Sequence, residues 1–176
     1  MAYLHAAGRE DIDVRMLGTG RPFIFEVMDP KKSISSLKAI DKLKVQTPFV
    51  SCKVFTIVDT SFFNSLKEIE SSKAKRYCSI AYFKNGVTPA DCASLNSLRN
   101  VSLQQQTPVR VLHRRSQMTR DKMIYRMYAV PVSSTIIILH LLASAGTYIK
   151  EFVHSDLGRT FPNVSSLVEE GRRNRG

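Results

Sequence analysis

A carboxylate in a glycine-flanked loop is the first candidate for chemistry in this sequence. Asp11 lies in the run Gly8–Arg9–Glu10–Asp11, and Asp13 follows two positions later. A guanidinium close to an aspartate lowers the pKa of the carboxyl group, which suits a nucleophile better than a general acid. The same charge pattern also occurs in solvated loops, where exposed ion pairs contribute little. Taken alone, this segment leaves both interpretations open.

Two later segments contain residue types that could complete such a site. Lys75–Arg76–Tyr77 opens a predicted strand with two cations and an aromatic ring. This pattern fits either a base-stacking platform beside phosphate-binding cations or an edge strand with a snorkelling lysine. Ala145–Lys150 joins an apolar strand to a helix, where Thr147 could be the N-cap. Lys150 would then be either a surface residue or the partner of a carboxylate in a cleft.

A third group of cations lies between and along two predicted strands. Its members are Arg110, His113, Arg114, Arg115, Arg120, Lys122 and Arg126. They fit either a charged hairpin or a ridge that follows phosphates. Lys and Arg number 26 against 15 Asp and Glu, a formal net charge of +11, which favours a nucleic-acid partner over a purely solubilising charge.

Other site classes find little support. Cys52, Cys78 and Cys92 are far apart and form no Cys-x-x-Cys pair, so the sequence predicts neither a metal site nor a redox pair. A hydrolase built on His113 or His154 is not favoured, because there is no Gly-x-Ser-x-Gly turn. Neither a membrane-length apolar run nor a secretory signal is present, so an intracellular domain that contacts no membrane is expected. A monomer is the default expectation.

Hydrophobic periodicity predicts the elements that would position these residues. Strands are expected at Phe23–Val27, Val50–Val58, Lys75–Phe83, Pro108–Leu112, Met123–Val130 and Ile136–Ala143. Helices are expected at Ser33–Val45, after a cap at Asp59 or Thr60, from Thr88 to Asn100, and at Gly146–His154. The pattern predicts an α+β domain with a mixed, mostly antiparallel sheet flanked by helices, over residues 1–168. Residues 169–176 are basic and are expected to form a disordered tail.

Several longer strings resemble one enzyme family. They are the run from Gly8 to Pro22 (GREDIDVRMLGTGRP), Thr107–Arg115 (TPVRVLHRR), Ser144–His154 (SAGTYIKEFVH) and Asp156–Thr160 (DLGRT). Together they resemble the archaeal and eukaryotic tRNA pseudouridine 54/55 synthases, a likeness that extends from about Gly8 to about Leu167. It implies the catalytic fold of the pseudouridine synthases, with a central active-site cleft.

The resemblance also implies a role for individual residues. Asp11 matches the catalytic aspartate, and Tyr77 matches the tyrosine that stacks on the target base and is implicated in removing the proton from C5. Ile149 and Lys150 match an apolar–basic pair, of which the basic member pairs with the catalytic carboxylate. Arg9 would help to position the loop and the flipped nucleotide.

The implied substrate is a uridine in the TΨC arm of tRNA, at position 54, position 55 or both. Arg114 and Arg115 are the members of the cationic group expected to contact this RNA. The reaction needs no cofactor and no metal, and the implied compartment is the nucleus, the cytoplasm or the mitochondrion. The alternative is an RNA-binding homologue that keeps the fold without catalysis.

Overall fold

The computed structural model describes residues 1–8, 13–31, 47–52 and 55–175. Their contacts divide the chain into two compact units, Met1–Glu70 and Ser71–Gly176, and each is described by itself. The expectation of one domain over residues 1–168 stays a prediction.

The first unit contains a two-stranded sheet and a helix. Strand β1 (Ala2–Ala6) pairs antiparallel with β2 (Phe23–Val27), which confirms the strand predicted at that position. Helix α1 (Phe62–Ser72) follows Asp59, whose carboxylate accepts a hydrogen bond from the Ser61 amide at 3.0 Å. Because α1 places Leu66 at a buried position together with Ala7 and Ile24, the three residues form a small apolar cluster.

Two predictions for this unit have a different outcome. The helix expected at Ser33–Val45 lies outside the described residues. The strand expected at Val50–Val58 is wrong for the residues described there, which form only an isolated bridge at Ser51. A β-branched run becomes a strand only where a neighbour supplies the ladder and a surface to pack on, and no described strand pairs with this run.

The second unit is built on a five-stranded sheet with the strand order β3-β6-β5-β4-β7. Its strands are β3 (Lys75–Tyr82), β4 (Arg99–Gln106), β5 (Thr119–Pro131), β6 (Ile136–Ala143) and β7 (Thr160–Phe161). Its helices are α2 (Pro89–Ser97), α3 (Ile149–His154) and α4 (Val164–Arg173). All of its strand pairs are antiparallel, so the predicted α+β fold with a mostly antiparallel sheet and flanking helices is confirmed.

One face of this sheet carries the core. Ile137, Leu139 and Leu141 alternate along β6 and are buried, as a half-buried strand requires. They share one apolar cluster with residues from all three helices, among them Leu95 of α2 and Phe152 of α3. The opposite face carries exposed residues such as Ile80, Tyr82 and Tyr128 among those described, and we refer to the two as the helix-covered face and the open face.

The connection between β4 and β5 differs from the prediction. The segment Pro108–Leu112 was expected to be a strand but contains a 3₁₀ turn at Val109–Val111, so that prediction is wrong. Thr107, just before it, is fully buried, and its hydroxyl donates to the Ser116 carbonyl at 2.7 Å. This side-chain bond closes the connection as a loop and leaves Pro108 at a turn, where the missing amide proton costs nothing.

Strand β4 itself was not predicted. Residues 99–106 include polar residues at most positions and three consecutive glutamines, so they lack the apolar alternation of a typical strand. The helix predicted to reach Asn100 ends at Ser97, because strand β4 begins at Arg99, which pairs with Arg126 of β5.

The structure also differs from the predicted disordered tail. Residues 169–173 continue α4, and the side chains of Arg172 and Arg175 contact the fully buried carboxylate of Asp91 at 2.7 and 2.6 Å. A segment without apolar residues is ordered here because its arginines neutralise a buried charge. No helix in the described ranges is long and apolar enough to cross a membrane.

Candidate active site

Tyr77 lies on the helix-covered face of the sheet. It follows Lys75 by two positions on β3, so the two side chains share a face, whereas Arg76 between them is exposed on the open face. Tyr77 is half-buried, pairs with Leu141 across the ladder, and packs against the main apolar cluster. Of the two cations predicted to accompany the tyrosine, only Lys75 therefore accompanies it on this face.

Helix α3 places Ile149 and Lys150 at its start. Ile149 is half-buried and packs against the same apolar cluster as Tyr77. Lys150 is the next residue and is also half-buried. The structure therefore brings Tyr77 and Ile149 to one cluster, with Lys150 next to Ile149 in sequence.

A buried glutamine holds the residue that precedes α3. The side-chain amide of Gln105 forms two hydrogen bonds with the backbone of Tyr148: its oxygen accepts from the amide at 2.9 Å, and its nitrogen donates to the carbonyl at 3.0 Å. Gln105 is completely buried, so both partners depend on this contact. The predicted N-cap, Thr147, does not cap the helix, because its hydroxyl donates to the Ser144 carbonyl at 2.8 Å instead.

A second contact fixes the first turn of α3. Glu151 is 1% exposed, and one carboxylate oxygen accepts from the Arg110 guanidinium at 2.7 Å. The same guanidinium lies 5.9 Å from the centre of the Tyr148 ring. Gln105 and Glu151 were missed from the sequence, and their only signal was a polar residue inside an otherwise apolar pattern.

The structure separates the cations that the sequence placed in one ridge. Arg110 forms an ion pair with Glu151, whereas Arg114 and Arg115 are exposed in the loop between β4 and β5. Arg120 and Lys122 are half-buried at the start of β5. Arg126 is exposed on the open face.

A β-bulge explains this separation. The register between β5 and β6 shifts between Ile124 and Arg126, so one extra residue interrupts the alternation of side chains. Ile124 and Met127, three positions apart, are consequently both buried in the core. Lys122 precedes the bulge and shares the helix-covered face with Ile124, whereas Arg126 follows the bulge and lies on the open face.

Lys122 has an unusual electrostatic environment. Partial burial lowers the pKa of its ammonium group, and the nearby charges of Arg120 and Lys75 lower the pKa further. Its Nζ donates to the Ala145 carbonyl at 2.8 Å, in the turn that leads to α3. Lys122 thus lies at the same end of the helix-covered face as the start of α3.

The remaining predicted site residues cannot be placed. Arg9 and Asp11 lie outside the described residues, so the roles assigned to them stay predictions. Among the residues that the structure describes, no group of three or more His, Cys, Asp or Glu is arranged to hold a metal ion.

Comparison with known proteins decides the family. The family model described as "Pus10, C-terminal" matches residues 1–173. The chain belongs to this family. The resemblance stated from the sequence motifs is thereby confirmed.

Curated relatives from eukaryotes and archaea agree with this assignment. A protein of Xenopus laevis is 39% identical over 167 residues, and one of Homo sapiens is 38% identical over 167 residues; both alignments cover 93% of this chain and 32% of the relative. A protein of Thermofilum pendens is 36% identical over 171 residues, which are 95% of this chain and 38% of the relative. All three carry the name tRNA pseudouridine synthase Pus10. The chain spans about a third of the length of these relatives.

Proposed function

We propose that this chain carries the catalytic groups of a tRNA pseudouridine synthase that acts on uridine 54, uridine 55 or both in the TΨC arm. The observation that carries the proposal is the match over residues 1–173 to a family whose curated members are named tRNA pseudouridine synthases. The net charge of +11 supports an RNA substrate.

The proposed roles divide the chemistry between three residues. Asp11 supplies an ionised carboxylate that attacks the ribose C1′ or the uracil C6. Tyr77 stacks on the base and assists removal of the C5 proton. Lys150 keeps the carboxylate charged, since a neighbouring cation lowers the pKa of an aspartate.

The reaction is an isomerisation, so its atoms balance without a cofactor. The bond between N1 and C1′ breaks, the uracil rotates while it is held, and a bond between C5 and C1′ forms. C5 loses a proton and N1 gains one. The target base must first leave the stack, which costs a few kcal/mol that contacts in the pocket offset.

Two features of the described structure support these roles. The half-buried Tyr77 is packed against the core, which limits the motion of its ring and suits a stacking platform. The start of α3, which carries Lys150, is tied to the sheet by Gln105 and to the 3₁₀ turn by the ion pair between Arg110 and Glu151. Both groups would therefore be preorganised before substrate binds.

The test is incubation of an unmodified tRNA transcript with the protein, followed by carbodiimide mapping of pseudouridine. Wild type should form the product in the TΨC arm, and Asp11→Ala should form none. Asp13→Ala is the matched control, because Asp13 lies in the same loop segment of the sequence without fitting the catalytic motif. That variant should retain product formation.

The proposal has clear failing outcomes. Product formed by Asp11→Ala and lost in Asp13→Ala would show that Asp13, and not Asp11, is the catalytic aspartate. Absence of product with wild type, together with retained tRNA binding, would favour a homologue that binds RNA without catalysis.

A further inference from the structure

Three cations converge at one end of the helix-covered face. Lys75 begins β3 and pairs with Ala143, the last residue of β6. Lys122 of β5 donates to the carbonyl of Ala145, two residues beyond the end of β6. Arg120 lies two positions before Lys122 on the same strand, and both Lys75 and Arg120 are close enough for their charges to act on Lys122.

The turn between β6 and α3 is shaped to admit the Lys122 ammonium. Gly146 adopts a φ of +69°, a conformation that L side chains rarely adopt. A Cβ atom at Gly146 would lie 3.3 Å from Nζ of Lys122, closer than an ordinary van der Waals contact. A residue without a side chain therefore lets the ammonium approach the backbone here.

The charges of Arg120 and Lys122 are not balanced by acids in the described part of the chain. Arg120 donates to the hydroxyl of Thr107 at 3.2 Å, and Lys122 donates to a backbone carbonyl. Neither makes an ion pair with a described carboxylate. The one acid between them on β5, Asp121, is exposed and bonds to Gln104.

Placing like charges together at a partly desolvated position is unfavourable for the free protein. An anion bound between Arg120 and Lys122 would remove their repulsion and supply the counter-charge that no described carboxylate gives them. Surface cations without a ligand avoid this cost by staying exposed and apart. The arrangement is therefore characteristic of a site whose anion arrives from outside.

We propose that Lys75, Arg120 and Lys122 form a phosphodiester-binding site for the RNA substrate, next to the start of α3. A phosphodiester is the anion that fits the surroundings, because Tyr77 lies two residues from Lys75 on the same face and offers a stacking surface for a base. The site would hold the backbone of the nucleotide strand that carries the target uridine. This inference rests on the proposed function for the identity of the RNA.

The salt dependence of RNA binding measures the number of phosphate contacts. Affinity for an unmodified tRNA transcript is measured at several KCl concentrations for wild type, Lys122→Ala, Lys122→Arg and Lys84→Ala. Lys84 is the matched control, because it is exposed after the other end of β3. The slope of log affinity against log salt is negative. Its magnitude should decrease by roughly 0.7 to 1 in Lys122→Ala, as expected for the loss of one phosphate contact.

The control variants define the specificity of this effect. Lys122→Arg keeps the charge and should keep the slope, and Lys84→Ala should also keep it. Lys75→Ala combined with Lys122→Ala should lower the slope by about twice the single change. A wild-type slope in Lys122→Ala, or an equal fall in Lys84→Ala, would overturn the proposed site.

A measurement of thermal stability separates a binding role from a structural one. Removal of Lys122 relieves like-charge repulsion but also removes its hydrogen bond to the Ala145 carbonyl, so the two effects should largely cancel and Lys122→Met should change the melting temperature little although it weakens RNA binding. If the slope falls only in proteins that have also lost stability, Lys122 is a structural residue and the proposal fails.

Pseudouridine mapping on the same proteins keeps the two proposals distinct. A reduced slope in Lys122→Ala with no product from wild type would leave the phosphodiester site standing and reject the proposed reaction. Product from wild type with an unchanged slope in Lys122→Ala would support the proposed reaction and reject the phosphodiester site.

Discussion

The two faces of the five-stranded sheet carry similar residue types in different surroundings. On the helix-covered face, Lys75, Tyr77 and Lys122 are half-buried; Tyr77 packs against the core, and Lys122 donates to the Ala145 carbonyl in the turn before α3. On the open face, the register aligns Arg76 with Leu142, Leu142 with Arg126, and Arg126 with Arg99, which places three exposed arginines in one row.

The open face also has aromatic and apolar residues. The rings of Tyr128 and His140 are 6.4 Å apart, and Ile80, Tyr82 and Tyr128 are 73%, 70% and 59% exposed. A groove of about 490 Å³ on the sheet has Arg76, Arg126 and Tyr128 in its lining, together with Tyr77 and Leu141, whose side chains belong to the helix-covered face. Residue types alone therefore do not distinguish the two faces as RNA-binding surfaces.

Burial and fixation distinguish the two faces. The groups on the helix-covered face are held by neighbours, as Lys122 is by the Ala145 carbonyl, so they lose little freedom when a ligand binds. Exposed side chains on the open face must be ordered by the ligand itself, which costs about 0.5–1.5 kcal/mol for each long side chain. A surface that performs chemistry needs the fixed arrangement.

The helix-covered face depends on the contact between α2 and α4, and the largest change in stability is expected there. Replacing the buried Asp91 by alanine removes the partner of Arg172 and Arg175 and the acceptor for the Thr88 amide. The free energy of unfolding should fall by about 3 kcal/mol, because a buried ion-pair network and a helix cap are both lost. Urea denaturation measures this change, and Glu170→Ala on the exposed side of α4 is the control.

The same carboxylate should make stability depend on pH. The hydrogen bonds from Arg172 lower the pKa of Asp91 far below its usual range, so the folded state binds fewer protons than the unfolded state in acid. Its contribution is complete above about pH 4 and is lost as the pH falls further. A wild-type stability curve between pH 5 and pH 2 that is parallel to that of Asp91→Ala would contradict this account.

A smaller effect is expected from the glutamine that supports α3. Gln105→Leu leaves the amide and carbonyl of Tyr148 without their partners, which should cost about 1–3 kcal/mol of stability. Turnover should fall more than RNA affinity, because the start of α3 loses its position. Gln106→Leu is the matched control, since Gln106 is the next residue on β4 and is exposed. Equal stability of the two variants would show that the buried amide contributes nothing.

The smallest effect is expected on the open face. Tyr128→Ala should change the free energy of unfolding by about 0.5 kcal/mol or less, because the ring is largely exposed. Affinity for the tRNA transcript should also stay at the wild-type value. A clear loss of affinity in this variant would remove the distinction between the faces and make the open face an RNA-binding surface.

The elements with a clear apolar period could be predicted from the sequence. The buried alternation of Ile137, Leu139 and Leu141 defined β6, and the proline at the start of α2 marked that helix correctly. Strand β4 could not be found this way, because its buried positions include Gln105, whose hydrogen-bond partner lies 43 residues away in sequence. The helical conformation of residues 169–173 could not be predicted for the same reason, since Asp91, the partner of Arg172, lies 81 residues away.

Sequence motifs carry the candidate site residues, and their roles stay predictions. Tyr77, Ile149 and Lys150 were singled out by local strings, and the structure places Tyr77 and Ile149 against one cluster. The division of the cationic ridge was not predictable, because the bulge between Ile124 and Arg126 decides which side chains share a face. Side-chain period alone would have assigned Lys122 and Arg126 to the same side.

The central claim is that chemistry takes place on the helix-covered face and not on the open one. Single-turnover pseudouridine formation by Tyr77→Phe and Tyr82→Phe tests it most directly, because the two tyrosines lie on opposite faces of β3. The account predicts at least a hundredfold slower turnover in Tyr77→Phe, as expected when a group that assists proton transfer is lost, with normal tRNA binding and a wild-type rate in Tyr82→Phe. A normal rate in Tyr77→Phe, or an equal loss in both variants, would contradict it.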